Sequence, residues 1–175
     1  VLDVVSGGRF ELGVGRGYRP HEFEGFGMDI RKRMGMTNEG IEILRRAWTG
    51  ERFSFDGKHY QVRDARLTPT PVQNPMPLWS GAGVAAARRN VAALGMPLLV
   101  SLITDLEETK AEFADYSAAL IEHGRDPKQF PRALIREFYV APDHEQAWRE
   151  VKPHFLHIYR KVYCPPFLVF HDINP

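Results

Sequence analysis

The sequence is poor in the features that mark several large classes of protein. It has one cysteine, Cys164, which excludes an intrachain disulfide framework and is typical of a protein from the reducing cytoplasm. No apolar stretch approaches the roughly 20 residues that a membrane-spanning helix needs. Lys and Arg number 23 against 22 Asp and Glu, so the basic surface of a nucleic-acid-binding protein is lacking too. We therefore expect a cytoplasmic globular protein that binds neither a membrane nor nucleic acid.

An initiating methionine is also absent, because the chain begins at Val1, inside the apolar run of residues 1–5. The histidines do not form a set with metal-ligand spacing, and no Ser-His-Asp or Cys-His arrangement stands out. We expect no metal centre, and we expect residues of a longer protein to precede Val1.

Short apolar strands alternate with amphipathic helices along the chain. The predicted strands comprise residues 9–14, 78–81, 98–101 and 134–140. The predicted helices begin at Thr37 as an N-cap, near Gly83, at Thr104 or Asp105 in a capping box, and near Asp143. Strands and helices that alternate in this way form βαβ units and a parallel sheet.

Two further segments interrupt this alternation. Residues 53–55 and 59–62 flank Asp56-Gly57, the dipeptide of a tight hairpin turn, and we interpret this hairpin as an insertion. Residues 69–77 contain four prolines, which predict an extended and irregular connection.

A glycine-rich segment follows the first predicted strand and offers one candidate anion site. Its residues are Gly13-Val14-Gly15-Arg16-Gly17-Tyr18. Glycines let backbone N–H groups approach an anion closely, and the guanidinium of Arg16 is a planar donor suited to phosphate. The segment is not a dinucleotide-binding fingerprint, because Tyr18 stands where the third glycine would be needed. A glycine-rich turn required only for tight packing fits these residues equally well.

A second candidate site joins the next strand to its helix, at Trp79-Ser80-Gly81-Ala82-Gly83-Val84. The first turn of a helix presents unpaired N–H groups and the positive end of the helix dipole, which together bind phosphate. A plain glycine turn is the more common use of such a segment. Both candidate segments follow the carboxyl ends of strands and so face the same mouth, which favours a phosphate-bearing cofactor or substrate there.

These two segments belong to a longer pattern in the sequence. It includes S-G-G-R-F-E-L-G-V-G-R-G-Y at residues 6–18, F-D-G-K-H-Y at residues 55–60 and P-M-P-L-W-S-G at residues 75–81. In this order and spacing, the pattern resembles the bacterial-luciferase-like family of flavin-dependent monooxygenases. The resemblance covers most of the chain, and only about the last ten residues are unplaced.

The resemblance implies an α/β fold of the (β/α)8 TIM-barrel type. By this alignment the chain holds an incomplete barrel, with about strands four to seven plus insertions. Residues 1–175 would form one partial domain that lacks the N-terminal strands and the last strand. The family's catalytic histidine and much of its substrate pocket lie in the first three strands, so no catalytic residue is assigned in this chain.

The resemblance also implies a cofactor and its site. The family binds reduced FMN, or a deazaflavin in one branch, and the Gly-Arg-Gly-Tyr form resembles the FMN branch more closely. By position, Arg16 matches the family's flavin-phosphate arginine, and the segment ending at Val84 matches its phosphate loop. The implied cofactor-binding residues are Gly15, Arg16, Gly17, Tyr18, Ser80, Gly81, Gly83 and Val84.

The chain departs from the family pattern within this loop. Members often carry a serine or an acidic side chain where this chain has Gly83 and Val84. Phosphate binding would then depend on backbone N–H groups and Arg16, with Ser80 or Arg88 as further donors.

The implied function is a monooxygenase that oxidises a small organic substrate with reduced FMN and dioxygen. A partner flavin reductase would supply the reduced flavin, and the protein would form a homodimer or another homo-oligomer. We expect this segment to be inactive alone. Two alternatives remain at this point: a non-catalytic flavin-binding protein, and a structural half whose exposed barrel edge is covered by a second copy.

Overall fold

A computed structural model describes residues 1–100 and 104–163 of the chain. These residues fall into two compact units, one formed by Val1–Ile135 and a second that begins at Arg136. The first unit holds every strand that the structure describes, and the second holds one long helix. The predicted contributions of Ser101 to the third strand and of Pro165 and Pro166 to the last helix end lie outside the described residues.

The first unit consists of short strands and the helices that follow them. Its elements are, in chain order, α1 (Leu2–Ser6), β1 (Leu12–Val14), α2 (Pro20–Gly25), α3 (Arg33–Trp48), β2 (Phe53–Asp56), β3 (Gln61–Ala65), β4 (Leu78–Gly81), α4 (Ala85–Ala93), β5 (Leu98–Val100), α5 (Leu106–Glu122) and β6 (Arg132–Leu134). The second unit contains α6 (His144–Ile158), which continues as a π-helical turn, Tyr159–Tyr163.

The main sheet is parallel throughout, with the strand order β1-β4-β5-β6. Helices α3, α4 and α5 lie between successive strands, so the predicted βαβ plan is confirmed. Strands β2 and β3 form a separate antiparallel hairpin between α3 and β4, which confirms the insertion. The four described strands of the main sheet form an open sheet and not a closed barrel.

The two faces of this sheet differ in burial. Leu78, Ser80, Leu98 and Val100 are in phase across β4 and β5 and are at most 6% exposed, because helices pack on their side. We call this the covered face. The core on that side also includes Ile41 of α3, Val91 of α4, and Tyr116 and Leu120 of α5. Each fully buried Leu or Val contributes roughly 1.5–3 kcal/mol of transfer free energy.

The opposite face of the sheet carries small or partly exposed residues. Gly13, Trp79, Gly81 and Leu99 lie on it, in phase across β1, β4 and β5. None of these four residues is buried in the described part of the chain. We call this the open face. In a closed barrel of this type, such a face lines the interior.

One predicted helix start is wrong. Thr37 lies in the second turn of α3, where its hydroxyl donates to the carbonyl of Arg33 at 2.8 Å. The helix follows a 3-10 turn, Ile30–Lys32, whose N-cap is Asp29; the Asp29 carboxylate accepts from the backbone N–H of Arg31 at 2.9 Å. Threonine suits both an N-cap and this backward bond within a helix, which explains the misplaced start.

The fourth strand is also shorter than predicted. It ends at Leu134, and residues 135–140 are not in a strand. Ile135 still donates its backbone N–H to the carbonyl of Val100 at 3.1 Å, but β5 ends at that residue. Phe138 and Val140 are 87% and 79% exposed, although both residue types favour strands.

The hairpin turn is longer than the Asp56-Gly57 dipeptide predicts. Asp56 pairs with Gln61, so the loop comprises four residues, 57–60. Glu39 of α3 organises it: its carboxylate accepts backbone N–H bonds from Lys58, His59 and Tyr60 at 2.8–2.9 Å. Burial alone would raise the pKa of Glu39, but these bonds outweigh it and hold the pKa below its ordinary value.

The proline-rich segment is irregular, as predicted, with bends at residues 72–75 and no helix or strand, and a buried carboxylate fixes it. Asp3 of α1 is 3% exposed, and it accepts backbone N–H bonds from Val72 at 2.6 Å and Gln73 at 3.0 Å. The Gln73 side chain donates to Asp3 at 2.7 Å and to the carbonyl of Phe10 at 2.6 Å. The backbone bond from Gln73 is the main cause of the lowered pKa of Asp3. Together these bonds connect α1, the chain before β1 at Phe10 and the proline-rich segment before β4.

The second unit contains α6, whose start near Asp143 is confirmed. The Asp143 carboxylate caps the helix by accepting from the backbone N–H of Gln146 at 2.8 Å. Pro153 lies inside the helix, and the rings of Phe155 and Tyr159 stack with centroids 4.4 Å apart.

Candidate functional site

The register of the sheet places both glycine-rich segments at one edge. Val14 at the end of β1 is directly opposite Ser80 in β4, and the two strands are parallel. The chain therefore leaves β1 towards Arg16 and leaves β4 towards Gly83 at the same carboxyl edge. The strand pairing therefore confirms that both segments lie at the carboxyl edge of the sheet.

Arg16 is half-buried and contacts a thioether instead of a carboxylate. Its Nη1 atom lies 3.0 Å from Sδ of Met34, which is a weak acceptor. Burial, and then the neighbouring charge of Arg33, lowers the pKa of Arg16. Within the described residues, no carboxylate forms an ion pair with Arg16, whereas Arg19 pairs with Glu22. A cation that is partly desolvated and lacks a counter-ion is well suited to bind an anion.

The glycines around Arg16 serve different purposes. Gly17 has a φ of +72°, and a Cβ atom there would lie 2.8 Å from Cε2 of Phe23, so backbone shape and packing both require glycine. Gly15 has open space where a Cβ would be. The packing interpretation therefore accounts for Gly17, and Gly15 remains free to expose its backbone. Tyr18 is 46% exposed, and its ring lies under the guanidinium of Arg19 at 5.4 Å.

The first turn of α4 lacks the usual capping groups. Its N-cap residue, Val84, provides no side-chain bond, and the first turn contains no acidic residue. By contrast, the Asp105 side chain caps α5 in a confirmed capping box with Glu108. Gly83 is exposed, with open space at its Cβ position. The leading N–H groups of α4 thus have no side-chain cap among the described residues, which favours an anion there.

Ser80 and Arg88 lie differently from the other predicted donors. Ser80 is 4% exposed on the covered face, so its hydroxyl is on the side of the helices and not on the open face. Its backbone N–H donates to the carbonyl of Pro97 at 3.1 Å. Arg88 forms ion pairs with Glu112 and Asp115 of α5. Neither side chain is therefore available to donate a hydrogen bond to a phosphate at the loop.

One polar pair on the open face was missed by sequence reasoning. The indole Nε1 of Trp79 donates to Oε2 of Glu11 at 2.6 Å. Trp79 pairs with Gly13, two residues after Glu11, so the two side chains meet beside a glycine that leaves room for them. Glu11 and Gly13 are two residues apart and so lie on the same face of the sheet, and this spacing was the sequence feature that could have indicated the pair.

Comparison with known proteins identifies the family to which this arrangement belongs. Residues 1–167 match the family described as luciferase-like monooxygenase. The chain belongs to this family. The resemblance inferred from the sequence pattern is confirmed.

Two curated relatives illustrate how the chain fits the family. The chain is 33% identical to an uncharacterized protein of Sinorhizobium fredii, y4wF, over 89% of this chain and 45% of that protein. It is 24% identical to the alkanal monooxygenase alpha chain of the Kryptophanaron alfredi symbiont, over 99% of this chain and 49% of the relative. The chain therefore spans about half the length of the curated relatives it matches.

Solved structures establish the fold. Monooxygenase RslO1 from Streptomyces bottropensis aligns with a TM-score of 0.80 and 23% identity, over 93% of this chain and 50% of that protein. The oxygenating constituent of 3,6-diketocamphane monooxygenase from Pseudomonas putida, solved in complex with FMN, gives 0.76 and 18% identity, over 97% and 51%. The coenzyme F420-dependent tetrahydromethanopterin reductase from Methanopyrus kandleri gives 0.73 and 19% identity, over 83% and 46%. The α/β fold of the (β/α)8 TIM-barrel type, incomplete here, is confirmed.

Membrane insertion by a helix finds no support in the described part of the chain. No helix there is both long enough and apolar enough to cross a membrane.

Proposed function

We propose that this chain provides the cofactor-phosphate side of a flavin-dependent monooxygenase that uses reduced FMN and dioxygen to oxidise a small organic molecule. One observation carries the proposal. At a single sheet edge, a half-buried arginine that the described carboxylates leave without an ion pair follows β1, and a helix start without a side-chain cap follows β4. Family membership and the FMN-bound relative support the choice of flavin.

The residues at this edge suit a phosphate group for separate physical reasons. Arg16 offers a planar guanidinium, and the first turn of α4 offers backbone N–H groups along the helix dipole. Gly15 and Gly83 have no neighbouring atoms at their Cβ positions, so an anion can approach the backbone closely. The proposed cofactor-binding set remains Gly15, Arg16, Gly17, Tyr18, Ser80, Gly81, Gly83 and Val84. Within it, Ser80 lies in the strand that leads into the loop and donates no bond to the phosphate, because its backbone N–H bonds to Pro97 and its hydroxyl lies on the covered face.

The cofactor supplies electrons for the activation of dioxygen, and the residues of this chain hold and orient it. Desolvation of Arg16 strengthens its attraction for a phosphate dianion, because a charge pair interacts more strongly away from bulk water. The proposed cofactor is FMN and the alternative is a deazaflavin, since relatives of both kinds share the fold. A flavin reductase as electron donor and a homo-oligomeric assembly complete the proposal.

The proposal is tested by titrating the folded chain with FMN and following flavin fluorescence. Arg16→Ala should weaken FMN binding by about 1.5–3 kcal/mol, the value of a charged hydrogen bond, which is roughly 10- to 150-fold. Arg31→Ala is the matched control, because Arg31 already pairs with Asp29 and its side chain is 87% exposed. The control variant should bind FMN like the wild type. A folded wild-type chain without saturable FMN binding, or equal affinities in wild type and Arg16→Ala, would contradict the proposal.

A further inference from the structure

Arg88 connects the first turn of α4 to the neighbouring helix. Its backbone N–H donates to the carbonyl of Val84, the N-cap residue, at 3.0 Å. Its side chain donates from Nε to Oδ2 of Asp115 at 2.8 Å and from Nη1 to Oε1 of Glu112 at 3.0 Å. One residue therefore closes the first turn of α4 with its backbone and attaches that turn to α5 with its side chain.

The environment of Arg88 holds it in this position. Its side chain is 12% exposed and that of Glu112 is 11% exposed, so the pair is largely shielded from water. Burial raises the pKa of Glu112, and the nearby carboxylates Glu108 and Asp115 raise it further, while Arg88 opposes them. Release of Arg88 would leave clustered carboxylates without a counter-charge, which strongly disfavours any other position for the guanidinium.

The rest of the first turn of α4 has no comparable attachment. Residues 85–87 are all alanine, and Val84 offers no side-chain bond. Ala87 packs in the core, but among the described residues Arg88 is the first side chain of α4 that attaches this turn to another helix by hydrogen bonds and ion pairs. At 1.5 Å rise per residue, it lies within about one helical turn of those groups.

We propose that Arg88 is a positioning residue for the cofactor phosphate: it orients the start of α4 through its ion pairs with α5 and does not contact the phosphate. This inference rests on the proposed function of the same edge. It assigns the Arg88–Glu112–Asp115 cluster a role in phosphate affinity without a contact between the Arg88 side chain and the phosphate.

The test compares FMN with riboflavin, which lacks the phosphate, in titrations of the full chain. The wild type should prefer FMN by about tenfold or more, the value of one charged hydrogen bond. Arg88→Met keeps an unbranched apolar side chain but removes the ion pairs, and it should reduce that preference at least about fivefold while riboflavin affinity stays the same. Tyr116→Phe is the matched control for lost stability, because Tyr116 bonds to Met96 before β5, at the opposite end of the strand. It should lower the melting temperature and leave the preference unchanged.

A second variant separates positioning from direct contact. Glu112→Gln combined with Asp115→Asn weakens the attachment to α5 and releases the guanidinium. Positioning predicts a reduced FMN preference in this double variant. Tighter FMN binding would show that Arg88 is held back from the phosphate and would overturn the inference.

The outcomes also separate this inference from the proposed function. A wild type that binds FMN and riboflavin equally would refute the phosphate site and the role of Arg88 together. A wild type that prefers FMN, with an Arg88→Met variant that keeps the full preference in a folded chain, would refute only the role of Arg88.

Discussion

Replacing Tyr116 by Phe removes one buried hydroxyl group from the contact between α5 and the chain before β5. Tyr116 is fully buried, and its hydroxyl donates to the carbonyl of Met96 at 2.6 Å. Met96 is itself fully buried, so its carbonyl would lose this partner without access to bulk water. The variant keeps the ring and its packing, which confines the change to the hydrogen bond.

The expected destabilisation follows from this burial. An unsatisfied buried acceptor costs about 1–3 kcal/mol, so the free energy of unfolding should fall by that amount at neutral pH. For a chain of 175 residues, each 1 kcal/mol corresponds to about 2–4 °C in the melting temperature. Urea denaturation followed by circular dichroism measures the free-energy change directly.

Alkaline pH provides a second and more specific test of the same bond. Burial raises the pKa of Tyr116 to about 12. Between its unfolded pKa of about 10 and the folded value, the unfolded chain loses the proton while the folded chain keeps it. The stability contributed by Tyr116 is therefore complete below pH about 10 and falls by up to about 1.4 kcal/mol for each pH unit above it.

The comparison with Tyr116→Phe isolates this effect, because all other titrating groups are common to both proteins. The wild type should be more stable than the variant at pH 7, and the difference should shrink as the pH rises from 10 to 11.5. A difference that stays constant over this range would refute the argument that burial controls this hydroxyl. A difference near zero at pH 7 would refute the importance of the bond to Met96.

Two further predictions concern side chains at the beginning of the chain and at the start of α4. Asp3→Asn should lower the melting temperature at pH 7. The pKa of Asp3 is lowered in the folded state, chiefly by the backbone bond from Gln73. The stability that the Asp3 carboxylate contributes is therefore complete above pH about 4 and is lost as the pH falls further. Melting curves at pH 7 and pH 3 should show the difference between wild type and variant shrinking at pH 3, and an unchanged difference would contradict this. Val84→Ser should add the missing N-cap bond to α4 and stabilise the chain by about 1 kcal/mol, or about 2–4 °C by calorimetry. A lower melting temperature would indicate that the start of α4 cannot accept a side-chain cap.

Local patterns were sufficient to predict much of the sheet and its helices. Strand β4 has the boundaries predicted for it, residues 78–81, and Asp105 and Glu108 form a complete capping box. The capping box lies within four residues in sequence, and β4 is recognisable from its own short apolar run although it pairs with the distant strands β1 and β5. Thr37 shows the limit of this reasoning, because the same side chain suits two positions in a helix and only the preceding turn decides between them.

Contacts between distant segments could not be predicted from the sequence pattern. The carboxylate of Asp3 meets Gln73 across 70 residues, and Glu39 reaches the hairpin loop across about 20. The sequence does not distinguish a carboxylate that is a buried acceptor of N–H bonds from one that is a solvated charge. The arginines Arg19 and Arg31 do not reveal the role of Glu39 either, since they pair with Glu22 and Asp29.

The two arginines near the candidate site show why residue type alone could not assign its roles. Arg16 and Arg88 both follow glycine-containing segments at the carboxyl edge of the sheet, and both were candidate phosphate donors from sequence. The structure gives Arg16 a thioether as its partner and gives Arg88 two carboxylates. A thioether competes weakly for a guanidinium, whereas two shielded carboxylates hold it firmly. Of these two arginines, Arg16 is therefore the one whose charge remains available at this edge, because the charge of Arg88 is already balanced by α5.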